Sequence, residues 1–206
     1  MIRLFIDTSN SDVSVSCFKD GKVLSYINES SLNNHSVTAV PSVKKVLDCS
    51  LVKAYDVDEI LVCNGPGSFT GIRIGLTIAK VYAYTLKKKI KLISSLRLLS
   101  LGNEKNPIIS IIDARNDNYY FGVYDSDGNL LLDERFASKE ELLQVINKYD
   151  NPLLVGYNEF KIDNYLVVKR NLDFLKINLL ADKIDEVNVH KANPNYLKLP
   201  SVLEHD

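Results

Sequence analysis

The chain has 206 residues, 46% of them hydrophobic and 25% charged, which suits a globular protein forming one large domain or two small lobes. Its 25 basic and 26 acidic residues leave a net charge of −1, which argues against nucleic-acid binding through a strong general field. No apolar run approaches the roughly 20 residues needed to span a bilayer. Cys17, Cys49 and Cys63 stand far apart in apolar stretches, and the histidines are only His35, His190 and His205. Buried free thiols in a reducing, cytoplasmic setting are therefore expected, and no zinc site.

The chain opens on an apolar-biased run ending at Asp7, read as a strand and not a signal peptide. The period-2 run Val13, Val15, Cys17, a tight Asp20-Gly21 turn and a further strand complete a three-strand meander. Residues 36–49 place Val40, Val43 and Leu47 on one helical face. Pro41 limits that helix, because an interior proline costs about 3 kcal/mol, so the segment kinks or starts there.

Strand 59–63 then runs into Asn64-Gly65-Pro66-Gly67-Ser68-Phe69-Thr70-Gly71-Ile72-Arg73-Ile74-Gly75, which opens a helix over 71–86. A strand, a glycine-rich turn and a helix N-terminus can present backbone N–H groups to an anion, or let one backbone pack tightly on another. The run is not a Walker A loop, since no Lys-Ser/Thr follows the last glycine. It also misses G-x-G-x-x-G, because Thr70 takes the third glycine's place. Both readings stay open at this stage. Ile72, Leu76, Ala79, Ala83 and Leu86 form one stripe of the helix, and Ile74, Ile78, Val81 and Tyr82 a second, roughly opposite. Two apolar faces mean either burial on both sides or one face left for a partner. Lys87-Lys88-Lys89-Ile90-Lys91, the one basic cluster, reads as lysines facing the negative end of the helix dipole.

Residues 5–24 repeat in residues 111–131. Phe5-Ile6-Asp7 falls on Ile111-Ile112-Asp113, and Val13, Val15, Cys17 on Tyr119, Phe121, Val123. Two copies of one meander, about 106 residues apart, indicate a duplicated lobe. The second copy continues with a capping box at Ser138-Lys139-Glu140-Glu141, a helix through Leu142, Leu143 and Ile146, and a short strand Leu153–Gly156. The order is βββ-α-β-α followed by βββ-α-β-(α). Residues 103–107 serve as linker, which sets the lobes at 1–103 and 104–206.

That plan is similar to the sugar kinase, heat-shock protein 70 and actin superfamily (ASKHA), an α/β class of duplicated ribonuclease H-like lobes. Gly65–Gly75 with Ala79-Lys80, Ile6-Asp7-Thr8-Ser9, Ile112-Asp113-Ala114-Arg115 and Pro194-x-Tyr196-Leu197-Lys198 resemble the TsaB (YeaZ) family. The resemblance implies an accessory subunit of the machinery that places threonylcarbamoyl on N6 of adenosine 37 of tRNAs reading ANN codons. It implies pairing with TsaD, its catalytic paralogue, or with a second copy when TsaD is absent. TsaE joins the pair, and tRNA is met only through the complex.

TsaD proteins carry an N-H-x-x-x-H metal segment that falls on Ser94–Leu99 here, putting Ser95 and Leu99 at the histidine positions. Leucine cannot ligate and a serine hydroxyl is a poor substitute, so neither metal nor catalysis is expected. The second lobe offers only Val155-Gly156-Tyr157-Asn158 where related ATPases hold adenosine. No cofactor is expected beyond weak ATP or ADP binding, with Asp7, Thr8, Gly67, Ser68 and Asp113 as candidate nucleotide contacts. Ile74, Ile78, Val81, Tyr82, Arg73, Val40 and Leu47 are the candidate partner interface. The alternatives are an autonomous ATP-dependent phosphotransferase of the same architecture and, with its ligands missing, a metalloprotease.

Overall fold

The computed structural model describes residues 1–31, 34–105 and 107–198. The chain forms two compact units, each built on one six-stranded sheet.

The first unit holds Met1–Ser95 and Phe174–Pro194. Its sheet comprises β1 (Ile2–Asp7), β2 (Asp12–Lys19), β3 (Lys22–Ser30), β4 (Glu59–Cys63), β5 (Lys89–Ile93) and β12 (Glu186–Val187), in the order β12-β5-β4-β1-β2-β3. Strands β1, β2 and β3 pair antiparallel, while β1–β4 and β4–β5 are parallel. Helices α1 (His35–Cys49) and α2 (Phe69–Leu86) bury Ala39, Val43, Val46, Ile72, Leu76, Ala79 and Ala83 with Leu4, Ile6, Val15, Ile60 and Val62 of the sheet. Helix α5 (Phe174–Ala181) serves the other face, where Phe174 meets the rings of Phe5 and Tyr26.

The second unit holds Leu96–Asp173 and, among the described residues, Asn195–Lys198. Its strands are β6 (Ile108–Asp113), β7 (Asn118–Tyr124), β8 (Leu130–Ser138), β9 (Leu153–Gly156), β10 (Phe160–Ile162) and β11 (Tyr165–Lys169), ordered β10-β11-β9-β6-β7-β8. Helix α4 (Lys139–Ile146) covers one face, and Leu99 of α3 (Ser95–Ser100) packs with Ile108 and Val155. In each unit an antiparallel meander leads by a helix to a parallel strand, the ribonuclease H-like plan. Its duplication is the ASKHA architecture.

Several expectations need correction. The units are not contiguous halves divided at 103: the chain crosses at Ser95/Leu96 and returns to the first unit for Phe174–Pro194. Of the expected linker, residues 103–105 and 107 lie within the second unit, and 106 lies outside the described residues. The return is held by non-local charge pairing, which no local pattern reports: Arg3 of β1 bonds Asn178 and Asp182. Helix α1 runs from His35 straight through Pro41. Pro41 and Val37, the residue four before it, are both exposed, so water can satisfy the carbonyl that loses its partner. Val40 is 57% exposed, whereas Val43 and Leu47 are core.

Residues 158–193, for which the sequence plan assigned no elements, form a hairpin, one helix, a short strand and a single 3-10 turn. The β10–β11 turn falls at Asp163, φ +49°, which an Asp tolerates. Cys17 and Cys63 are buried, but Cys49 ends α1 at the surface. Only Lys87 and Lys88 follow the end of α2, since Lys89 and Lys91 already belong to β5. Among the described residues, no helix is long and apolar enough to cross a membrane.

Candidate functional site

The glycine-rich loop joins β4 to α2 and packs on the turn that follows β1. The Gly65–Pro66 bond is cis. Ser68 donates its N–H to the Ser9 carbonyl at 2.7 Å, and its hydroxyl accepts from Gly71 N–H at 3.2 Å, capping α2. A Cβ on Gly67 would lie 2.2 Å from the Ser9 carbonyl oxygen, and one on Gly71 2.0 Å from that of Thr8. Gly75 is equally constrained, with a Cβ placed 2.5 Å from the Thr8 hydroxyl. That hydroxyl donates to the Gly71 carbonyl at 2.7 Å. The glycines therefore let a turn, a loop and a helix interlock at backbone distance. Ser95 closes the far side, its hydroxyl donating to the Pro66 carbonyl and its N–H to that of Gly65.

Asp7, Thr8 and Ser9 are all buried, and Asp7 accepts the Ser9 N–H at 2.8 Å. The Cys63 thiol donates to the Ser9 hydroxyl at 3.4 Å. Burial first, and then the neighbouring Asp7 carboxylate, push the Cys63 thiol well up, so it stays a neutral packing group. Asp7, Thr8, Gly67 and Ser68 thus come together in one polar cluster.

Asp113 is not the counterpart of Asp7. In the first unit Leu4 and Ile6 face the helices, opposite Cys17 and Val15. In the second, Ile109 and Ile111 do so, opposite Val123 and Phe121. The overlay of β2 on β7 holds at 106 residues, but β6 is shifted by one against β1. Side chains alternate along a strand, so that shift turns Asp113 to the helix-bearing face while Asp7 takes the other. Asp113 is also exposed, although it accepts the Arg115 N–H at 2.7 Å as Asp7 does that of Ser9.

At the metal-segment positions, Ser95 is engaged by the loop and Leu99 is buried core. These side chains do not fit a metal. Gly156 ends β9, its carbonyl accepting from Arg170 N–H at 2.8 Å, and a bend at Tyr157 and Asn158 follows.

Helix α2 has three flanks at about 100° per residue. Gly71, Ile72, Gly75, Leu76, Ala79 and Ala83 are buried. Ile74, Ile78 and Tyr82 pack partly on the core, with Val81 beside them 59% exposed. The Tyr82 hydroxyl donates to the Ala54 carbonyl at 2.5 Å. Burial, with smaller contributions from Cys17 and Asp56, pushes Tyr82 up to about 12. On the third flank Arg73 stacks over the Phe69 ring at 3.8 Å, apart from the Ile74–Val81 stripe, and Tyr84 lies exposed beyond. Leu47, expected at the interface, is instead buried in the core of its own unit. Val37 and Val40 are the exposed apolar residues of α1.

The buried charges were invisible in the sequence. Arg3 and Glu59 are 1% and 3% exposed and ion-paired. Lys91 reaches the other Glu59 oxygen at 3.0 Å and the Ala181 carbonyl at 2.9 Å. Arg3 also donates to the Asn178 carbonyl at 2.6 Å. Two cations thus meet carbonyls at the C-terminal end of α5, where the helix dipole favours them.

The family model described as TsaD, tRNA N6-adenosine threonylcarbamoyltransferase, matches residues 26–190. The tRNA threonylcarbamoyladenosine biosynthesis protein TsaB of Bacillus subtilis is 29% identical over 97% of this chain and 95% of its own length. TsaB of Buchnera aphidicola subsp. Schizaphis graminum is 33% identical over 74% of this chain and 72% of its own. The solved structure of YeaZ from Pseudomonas aeruginosa superimposes with a TM-score of 0.76 at 26% identity, covering 95% of this chain and 99% of that one. Together with the glycine loop and the duplicated lobes, these matches show that the chain belongs to the TsaB (YeaZ) family of tRNA threonylcarbamoyladenosine biosynthesis proteins.

Proposed function

We propose that this chain is the non-catalytic partner of TsaD in the complex that transfers threonylcarbamoyl to N6 of adenosine 37, and that it acts by association. The observation that carries the reading is the exposed apolar flank of α2. Val81 is 59% exposed beside the half-buried Ile74 and Ile78, and α1 adds Val37 and Val40. A stripe of this kind gains about 25 cal/mol for each Å² covered. The free energy of docking offsets the cost of holding TsaD in a competent state, so activity rises without a catalytic group from this chain. When TsaD is absent, the same flank serves a second copy. The polar groups of the Asp7 turn and the glycine loop bond chiefly to one another, which supports at most weak nucleotide binding.

The experiment is to mix purified TsaD with this chain and with its Val81→Glu/Val40→Glu variant, measure molar mass by light scattering, and score modified tRNA in parallel. Both positions are exposed, so the variant keeps its fold. Loss of the heterodimer together with loss of modification is expected. A variant that still co-elutes with TsaD would show that the interface lies elsewhere.

A further inference from the structure

A second surface of the first unit lies at the C-terminal end of α2. Between the C-terminal end of α2 and residues 186–190 lies an open groove of about 960 Å³, lined by Tyr84, Lys87, Lys88, Lys89, Glu186 and His190 among others. We propose that this groove binds the phosphate backbone of an RNA strand, so that the chain touches the tRNA itself and does not meet it only through a partner.

Three lysines line the groove against one carboxylate, Glu186, and that carboxylate is taken by Lys89 at 2.9 Å. Lys88 lends its ammonium to the Tyr55 carbonyl at 2.6 Å, a neutral partner that leaves the charge uncompensated. Lys87 is exposed, and Lys191 is exposed immediately beyond His190. A chain of net charge −1 therefore places a local excess of lysines at one concave place, and the same three lysines, Lys87, Lys88 and Lys89, also border a pocket that holds Asp58, Glu59 and Asp182. The local excess matches a polyanion site and not a general field.

Lysines at a helix end would also suit the dipole, and for Lys87 and Lys88 that role is partly filled already. The N–H groups of both residues go to the Ala83 carbonyl. Their side chains lie beyond the turn, at the groove. Aromatic surface accompanies the charge. Tyr84 is 66% exposed with its ring 5.7 Å from that of His190 in an edge-on arrangement. Exposed rings beside lysines are what single-stranded or looped RNA stacks on, and neutralised phosphates supply its affinity. The family to which the chain belongs is named for a tRNA modification, which makes RNA the polyanion to test. The proposal rests on that membership and not on pairing with TsaD.

The probe is a fluorescently labelled anticodon stem-loop of a tRNA reading ANN codons. Its anisotropy is titrated with the full chain over a range of salt, with and without TsaD. Lys87→Gln with Lys191→Gln is expected to weaken binding roughly tenfold at low salt. The same variant should flatten the salt dependence by about 0.7–0.9 in slope for each phosphate it no longer neutralises. Tyr84→Ser is expected to weaken binding with the salt slope unchanged. A control, Lys148→Gln with Lys161→Gln in the second unit, removes the same charge and should leave binding intact.

An equal loss in that control would mean general electrostatics and would overturn the proposal. So would undetectable binding by the unaltered chain, or groove variants that keep RNA affinity while losing a protein partner. The Gln variants change exposed side chains only, and their urea midpoints verify the fold. They leave the Val81 flank untouched, so loss of RNA binding and loss of TsaD pairing read out separately.

Discussion

Replacing Arg3 with methionine is expected to destabilise the first unit by about 3–5 kcal/mol. Arg3 is almost wholly buried and holds Glu59 with one nitrogen, the carbonyl and side-chain oxygens of Asn178 at 2.6 and 2.5 Å with another, and Asp182 at 2.6 Å with the third. Methionine fills most of the volume but leaves Glu59 buried with Lys91 alone, and removes donors from the end of α5. The cost comes from desolvated charge and unsatisfied acceptors, so it exceeds what an exposed pair would lose, typically under about 1 kcal/mol. Against a total stability of about 5–15 kcal/mol this is a large fraction.

Urea unfolding followed by circular dichroism measures the loss, and hydrogen exchange locates it. The amides of α5 and β12 should lose protection before those of β6 and β7 in the other unit. Arg3→Met combined with Glu59→Leu should recover at least half of the loss, because no buried carboxylate is then left short of a partner. A single variant less than about 1 kcal/mol below the parent, or α5 protection unchanged, would refute the reasoning.

Three further outcomes follow from the packing. Gly71→Ala puts a methyl group 2.0 Å from the Thr8 carbonyl and should cost about 1–3 kcal/mol in a urea titration; an unchanged midpoint would show that the loop yields freely. Tyr82 is held neutral by burial with its folded value raised to about 12, so its stabilising effect is present below pH 10 and fades as pH rises through the folded value. Stability of the parent should therefore fall more steeply than that of Tyr82→Phe between pH 10 and 12, and parallel curves would count against it. Cys49 is exposed, while Cys17 and Cys63 are buried and shifted upward, so Ellman's reagent should find one fast thiol per native chain and the rest only on unfolding. Two fast thiols would contradict the placement of Cys17 or Cys63.

Much of the architecture was legible because it is written in local periodicity. The alternation Val13, Val15, Cys17, the Asp20-Gly21 turn and the Ser138/Glu141 capping box each act within a few residues. The box forms as expected, with Ser138 accepting from Glu141 N–H at 3.3 Å and Glu141 accepting in return at 3.1 Å. The buried stripe of α2 was legible for the same reason. The β10–β11 hairpin has a local signal of its own, an Asp163-Asn164 turn between short runs rich in Ile, Leu, Val and Tyr.

The glycine loop shows where legibility stopped. Its composition fits an anion cradle and a tight backbone contact equally, and only the Thr8 and Ser9 carbonyls facing Gly71 and Gly67 reveal the contact. The asymmetry of Asp7 and Asp113 was hidden for a related reason. A one-residue slip between repeats leaves the hydrophobic pattern of Ile111-Ile112 almost unchanged, yet reverses which side chain meets the helices.

The sequence by itself determined the two meanders, the helices that follow them, strands β4 and β9, the duplication and the kinship, because each is written in residues close together along the chain. Tertiary structure alone decided that Phe174–Pro194 returns to the first unit, that Arg3 and Glu59 are buried together, and which flank of α2 stays open. Those outcomes depend on partners distant along the chain. Burial and pairing of charge are settled by the low-dielectric surroundings a group ends in, which its chain neighbours do not record.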